Sequence, residues 1–357
     1  MDICVGMIGC GGIATAKHMP GLVKAGAKIT ALYDVNQKSA QDAAQKFGTD
    51  AVVYETVDAL LANKEITAVH ICTPNKTHAD LAVRAMQAGK HVMCEKPMAM
   101  NAIEAARMLE VSRNTNRKLT IGYQGRFRKE VQLLKEMCMS DQLGEIYFAR
   151  AHALRRRGVP TWGVYQDSSL QGGGCLIDIG THALDLVLWL MDNYEPEYVI
   201  GNTYRKIIDR PTDANVWGTW NSALLNVEDS AFAMLRMKNG ATVELECSWA
   251  INCRNAVESN VTLAGTKAGA DTIKGLKING ASGGSLYIND IDTNNKSGTS
   301  FDVVNIDDPG SKEIAVWVDA IKNDRPPLVL PEQALMVARI IDGIYESSKT
   351  GRPVNFD

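Results

Sequence analysis

The sequence predicts an α/β chain in two parts: a Rossmann domain with a doubly wound parallel sheet, then an α+β domain on an open, mostly antiparallel sheet. Three observations carry this. Up to about residue 122, short apolar runs alternate with amphipathic segments of helical period, the mark of βαβ units. The first apolar run ends in Gly9-Cys10-Gly11-Gly12-Ile13-Ala14, a glycine-rich turn between strand and helix. Past residue 190 the period shortens to alternation, punctuated by Asn-Gly pairs of the kind that close hairpins.

Taken in order, strands are expected at Ile3–Ile8, Lys28–Tyr33, Val52–Tyr54, Ala68–Cys72, His91–Cys94 and Lys118–Ile121. Helices such as Asn36–Phe47 and Thr77–Ala88 fall between them, and right-handed crossovers put them on both faces of the sheet. Glu130–Met139 then reads as a helix and Ile146–Leu154 as a strand. A second helix, Leu176–Met191, follows the run Gly172-Gly173-Gly174. Further strands are expected at Tyr198–Lys206, Ser230–Lys238, Thr242–Ala250, Ser259–Leu263, Lys274–Ile278 and Phe301–Ile306, with turns at Asn239-Gly240 and Asn279-Gly280. Helices Lys312–Lys322 and Glu332–Thr350 close the chain, separated by Pro326-Pro327 and Pro331. The expected domains are 1–123, binding a dinucleotide, and 124–357, binding substrate and forming oligomers; the helices of 312–350 are candidates to pack back on the first.

Composition narrows the function. The 357 residues are 45% hydrophobic and 22% charged, as in a globular protein with a sizeable core. Net charge is −3 with basic residues scattered, which argues against nucleic acid or an anionic membrane as partner. The one dense basic cluster, Arg155-Arg156-Arg157, reads either as a solvated strand end or as a pocket wall. The eight cysteines have no C-x-x-C pair and no zinc-like spacing, so no metal is expected and a reducing, cytoplasmic compartment is. No uninterrupted apolar stretch approaches the length of a membrane span.

The motifs point to redox chemistry. Gly9, Gly11, Gly12, Ile13 and Ala14 form a dinucleotide fingerprint, in which glycines let the backbone reach the pyrophosphate and the helix start faces it. The same turn could serve a plain α/β domain. Asp34, ending the second strand, is placed to accept hydrogen bonds from the adenosine ribose, or to cap the next helix. A carboxylate there repels a 2′-phosphate, so NAD is favoured over NADP. Thr73-Pro74-Asn75-Lys76-Thr77-His78 follows the fourth strand, either as a cap or as cofactor lining. Glu95-Lys96-Pro97 delivers a lysine to the carboxyl edge of the sheet, where such folds hold their ligands. In the second half, Asp178, His182 and Asp185 fall on one helical stripe continuing to Trp189, either as an acid/base cluster or as a cap and a satisfied core histidine. Histidine suits removal of a hydroxyl proton near neutral pH, and lysine suits stabilising the oxyanion.

On Glu95-Lys96-Pro97 and the glycine run leading to Asp178 and His182, the chain resembles the Gfo/Idh/MocA family of glucose–fructose oxidoreductase and inositol dehydrogenase-like enzymes over essentially its whole length. The resemblance implies that Lys96 contacts the substrate hydroxyl and the nicotinamide ribose, with Pro97 cis. His182 would be the acid/base and Asp178 its polar neighbour. Thr73, Pro74, Asn75 and His78 would border the adenine and ribose, and Glu95 the nicotinamide. Tyr123 and Arg126 would begin the second domain near the substrate. Substrates would be sugars, cyclitols or glycosides, and homo-oligomers, dimers or tetramers, would form through the second sheet. Arg156 and Trp162 belong to this chain's own variable segment: the arginine could meet a hydroxyl or carboxylate, and the indole could stack on a pyranose or be core. Two rivals share the fold: a glycoside-cleaving enzyme that oxidises C3, eliminates and recycles NAD, and a non-catalytic dinucleotide sensor.

Overall fold

The computed structural model describes residues 3–48, 50–293 and 306–356. Two compact units emerge, residues 1–127 with 302–335, and residues 128–301 with 336–357.

Unit one holds β1 (Cys4–Ile8), β2 (Lys28–Tyr33), β3 (Val52–Val53), β4 (Ala68–Ile71), β5 (His91–Cys94) and β6 (Leu119–Ile121). All pair in parallel, in the order β3-β2-β1-β4-β5-β6. The central β4 is buried at every position, as a strand covered by helices on both faces must be. The order reverses between β1 and β4, and such a reversal opens a crevice beyond the carboxyl ends of those strands. Local signals start the helices: Asn36 caps Gln37–Phe47 through Lys38 N–H, Thr56 caps Val57–Ala62, and Asn101 caps Ala102–Thr115. The late helix Pro309–Lys322 also belongs here. Its Ile314, Trp317 and Val318 share one buried cluster with Val5, Met7, Leu22 and Leu32. Gly21 makes this fit possible, because a Cβ there would lie 2.8 Å from Ile314.

Unit two is a nine-stranded sheet of β7 (Ile146–Leu154), β8 (Pro196–Tyr204), β9 (Ser230–Met237), β10 (Thr242–Ser248), β11 (Glu258–Gly265), β12 (Gly269–Asp271), β13 (Lys277–Ser282), β14 (Ser285–Asp290) and β15 (Val354–Asn355). Its order is β14-β13-β12-β11-β7-β10-β9-β8-β15, antiparallel throughout except for the β7–β10 pair. The helix Thr181–Met191 supplies the apolar layer beneath it, with Leu184, Val187 and Leu188 wholly buried. The longer stretch Ser168–Met191 is long and apolar enough to cross a membrane by composition, yet 83% of its most apolar window is buried in the protein. It is the core helix of this unit.

Two expectations change. Asn239-Gly240 does turn β9 into β10, but Asn279-Gly280 lies inside β13. The hairpin closes at Gly283-Gly284, where both φ angles are positive (57° and 79°) and two glycines meet the turn's demand more cheaply than Asn-Gly. Gly280 instead makes room for Tyr287 across the pair. The strand expected at Lys274–Ile278 starts later, because Lys274 and Gly275 turn the chain with positive φ. The strand expected at Phe301–Ile306 falls outside the described residues save for Ile306.

Candidate active site

The crevice of unit one is lined first by the glycine turn. Gly9 has φ +91°, and a Cβ there would sit 2.6 Å from the Cys72 carbonyl, so the turn after β1 lies directly against the turn after β4. Gly11, Gly12 and Ile13 are exposed at the start of the helix, and a Cβ at Gly11 or Gly12 would meet nothing within 4 Å. That open helix start is what a pyrophosphate requires. Ala14 behind it is fully buried. Asp34 accepts from Cys10 N–H (2.7 Å) and Asn36 N–H (2.8 Å), which fixes its carboxylate beside the turn; the helix that follows is capped by Asn36 instead. Burial and the Asp34 charge push the Cys10 thiol up to about 12, so it stays protonated. The residues present therefore fit a dinucleotide.

The turn after β4 is tied to the turn after β5. His78 is buried, with Nδ1 2.8 Å from the Pro97 carbonyl and Nε2 2.9 Å from the Thr73 carbonyl. Thr73 is partly exposed, Pro74 exposed and Asn75 buried. Thr77 bridges back to Thr73 Oγ1 (2.7 Å). The Lys96-Pro97 bond is cis. Lys96 itself is partly exposed, just beyond β5 at the same sheet edge.

Behind Lys96 lies a buried charge network. Glu95 pairs with Lys17, which also pairs with Glu313 (3.0 Å). Its Oε1 receives His18 Nε2 at 2.8 Å, and its Oε2 receives the Lys96 amide at 3.2 Å. Since a carboxylate only accepts, neutral His18 carries its proton on Nε2 and takes a second bond from His70 Nδ1 at 2.9 Å. Burial alone would discharge Glu95, but Lys17 and His18 hold its pKa well below the ordinary carboxyl value. Burial would likewise lower Lys17, yet Glu313 and Glu95 hold it above its ordinary value. Burial, then the neighbouring positive charge, lowers His18 and His70. Tyr123 and Arg126 are both buried in unit one, with Arg126 donating to the Gln333 side chain (2.7 Å) and the Leu328 carbonyl (3.3 Å).

In unit two the catalytic candidates sit on a helix that begins with a π-helical turn, Leu176–Gly180. Asp178 is buried and accepts from Trp249 Nε1 (3.0 Å). His182 is partly exposed one turn later, and Asp185 is buried. Asp178 does not cap this helix. Glu228 does, accepting from Gly174 N–H (2.8 Å), Leu176 N–H (3.0 Å) and the Tyr345 hydroxyl (3.0 Å). The chain after β7 runs beside Trp249, with Gly158 N–H donating to its carbonyl at 2.7 Å. In the basic cluster Arg155 is engaged by Glu258, Arg156 is exposed, and Trp162 is 48% exposed on the following loop. Among the described residues no group of three or more His, Cys, Asp or Glu could hold a metal.

Lys17, His18, His70, Glu313, Glu228 and Trp249 had no place in the sequence reading. The signal for Lys17-His18 was their position one turn into the fingerprint helix, where a lysine and a histidine on the buried side need partners. Trp249 and Glu228 left none.

A parallel sheet in this order, a glycine cradle, an acid beyond β2 and a lysine beyond β5 define a nicotinamide-dinucleotide oxidoreductase of Rossmann type. The chain belongs to the Gfo/Idh/MocA oxidoreductase family: residues 3–123 match its NAD-binding Rossmann fold and residues 135–356 its C-terminal alpha/beta domain. It is 32% identical to the D-glucoside 3-dehydrogenase of Escherichia coli K12, over 98% of this chain and 96% of that protein. It is 29% identical to an inositol 2-dehydrogenase of Gluconacetobacter diazotrophicus, over 74% of this chain and 72% of that one. The solved structure of a levoglucosan dehydrogenase in complex with NADH superposes with a TM-score of 0.85 at 21% identity, covering 100% of both chains, which confirms the fold.

Proposed function

We propose that this protein is an NAD-dependent dehydrogenase that oxidises a ring hydroxyl of a sugar, cyclitol or glycoside, with glycosides favoured. The observation that carries the reading is the conjunction, along one sheet edge, of an open glycine cradle, a fixed Asp34 and a partly exposed Lys96. The near full-length similarity to a D-glucoside 3-dehydrogenase favours the glycoside.

Gly9, Gly11, Gly12, Ile13 and Ala14 would hold the pyrophosphate and Asp34 the adenosine ribose, with Thr73, Pro74 and Asn75 along the adenine side. Bound NAD supplies the hydride acceptor. His182 takes the proton of the substrate hydroxyl, and Lys96 stabilises the oxygen as it becomes negative. Asp178, fixed by Trp249, orients the polar groups around His182. Glu95 acts through Lys96, holding its backbone N–H from inside the domain, and His78 holds the Pro97 carbonyl. Residues 1–123 are assigned to the cofactor; residues 124–357 are assigned to the substrate and to assembly of a dimer or tetramer.

A panel of sugars, inositols and glycosides, followed by NADH absorbance with aglycone release measured alongside, tests the assignment. NADH formation without aglycone release is the expected result. Aglycone release without net NADH would instead mark the redox-assisted cleavage. Lys96→Ala and His182→Ala should each lower kcat by about 10²–10⁴-fold, the usual worth of a positioned acid, base or oxyanion partner. NAD affinity, measured by fluorescence titration, should change little; wild-type turnover in either variant would defeat the role assigned to that residue.

A further inference from the structure

Unit two carries an aromatic corner that the hydride-transfer residues do not use. Trp162 and Trp217, from two different loops, meet edge to face with ring centroids 4.7 Å apart at 82°. Tyr165 adds a third ring, 6.0 Å from Trp162. In a chain with only six tryptophans, these two are left 48% and 40% exposed, beside Val216 at 74%. Apolar surface is ordinarily exposed singly, whereas a contiguous exposed aromatic group marks a binding site.

The corner is also built to stay open. Asn215 is buried and stitches the two loops, accepting from Val159 N–H (2.9 Å) and donating to the Val159 (3.0 Å) and Gly218 (2.8 Å) carbonyls. Thr161 Oγ1 donates to the Trp217 carbonyl at 2.8 Å, and the Arg155 guanidinium lies 5.3 Å from the Trp217 ring centroid. The two loops that carry the indoles are thus tied to each other by hydrogen bonds. The same stretch of chain leads to the catalytic helix: Gly158 N–H donates to the carbonyl of Trp249, whose indole holds Asp178. Two indoles and a phenol match the size of one or two rings, far below the roughly 800 Å² per partner of a stable protein interface.

We propose that Trp162 and Trp217 form a stacking subsite for the aglycone of a glycoside, a flat ring face carried next to the sugar that is oxidised. This rests on the glycoside reading above and adds to it: the preferred substrate bears a second ring, either an aryl group or another pyranose. Stacking on indole faces recognises either one, with little demand for hydrogen bonds.

The test compares kcat/KM for methyl β-D-glucoside, phenyl β-D-glucoside and cellobiose in wild type, Trp162→Ala and Trp217→Ala, with Trp162→Phe as the conservative variant. Wild type should prefer a ring-bearing substrate over the methyl glucoside. That preference ratio should fall about tenfold in either alanine variant, the order expected for loss of a desolvated ring contact, and Phe should restore most of it. Phenyl and cellobiose arms separate an aryl from a sugar aglycone. A wild type indifferent to the aglycone, or variants that lose equally on all three substrates, would overturn the subsite. Should no glucoside reduce NAD, the functional reading fails on its own. The subsite is then decided by tryptophan fluorescence of the NADH-loaded enzyme titrated with phenyl β-D-glucoside: a change lost in Trp162→Ala supports it, and no change overturns it.

Discussion

Both units open a helix in the same way and use it oppositely. In unit one a glycine turn, Gly9 to Gly12, leads into a helix containing the π-helical turn Ala14–His18; in unit two Gly172 to Gly174 lead into the π-helical turn Leu176–Gly180. A helix start leaves amide N–H groups without partners inside the helix, and something must receive them. In unit two the protein supplies that group itself: the Glu228 carboxylate takes the Gly174 and Leu176 amides, and packing closes over the turn. In unit one the corresponding residues, Gly11, Gly12 and Ile13, are exposed. One turn is capped from within the protein; the other stands open, and the proposal assigns it to a ligand's negative charge. The widened π turn serves both, setting Asp178 in one unit and Lys17-His18 in the other against partners distant in sequence.

Substitutions should separate the two turns. The largest effect on folding is expected from Gly174→Ala, whose Cβ would lie 2.0 Å from the Glu228 carbonyl oxygen. Backbone must move, and a loss of about 3 kcal/mol or more is expected in denaturant unfolding. Glu228→Ala should cost about 2–3 kcal/mol by leaving amides and the Tyr345 hydroxyl without their acceptor, with Glu228→Gln intermediate. An unfolding midpoint unmoved by either would show that Glu228 is no cap. Gly11→Ala should do the reverse: space within 4 Å is open in the protein, so stability should hold while NAD affinity falls about tenfold, as a methyl intrudes on the pyrophosphate. Asp34→Ala should raise the KM for NAD and narrow its preference over NADP, with a smaller effect on stability.

The smallest effect is expected with pH. Burial holds His18, His70 and His78 below the ordinary value of 6.5, so the folded state disfavours their charged forms. Their contribution is full above 6.5 and is lost as the pH falls through it, because the unfolded chain then binds more protons. Glu95 acts in the same direction lower down: despite the burial that opposes it, Lys17 keeps it ionised, and its contribution is lost as the pH falls below 4.5. Lys17, held above 10.5, gives way only in strong base. Thermal unfolding of unit one should therefore level off between about pH 7 and pH 8.5, weaken on the acid side from about pH 6.5, and weaken again above about pH 9, where the buried Cys10, Cys72 and Cys94 thiols hold protons that the unfolded chain gives up. An acid limb beginning only near pH 4 would exclude the histidines.

What the sequence revealed and what it hid follow from range. Strands β1, β2 and β5, the glycine turn, Asp34 and Lys96 are local patterns, each readable within a few residues. The Lys17–Glu313 pair spans 296 positions and the Asp178–Trp249 bond 71, and no periodicity signals either. The Asn279-Gly280 pair misled because a turn is chosen among competitors: Gly283-Gly284, a few residues on, satisfies two positive φ angles at lower cost. Asp178 stood out as a candidate beside the glycine run, but its partner indole did not, and the group that caps the helix, Glu228, lies on a connection that carries no motif.

Every role proposed for the site requires that hydride leave a ring carbon of the substrate for NAD. Incubating the enzyme with NAD and methyl β-D-glucoside deuterated at every ring carbon, then weighing the cofactor by mass spectrometry, tests this without intermediaries. The expected product is NADH one mass unit heavier, carrying a deuterium, alongside a keto glucoside. Consumption of the glucoside with unlabelled cofactor, or NADH formed without the label, would contradict it.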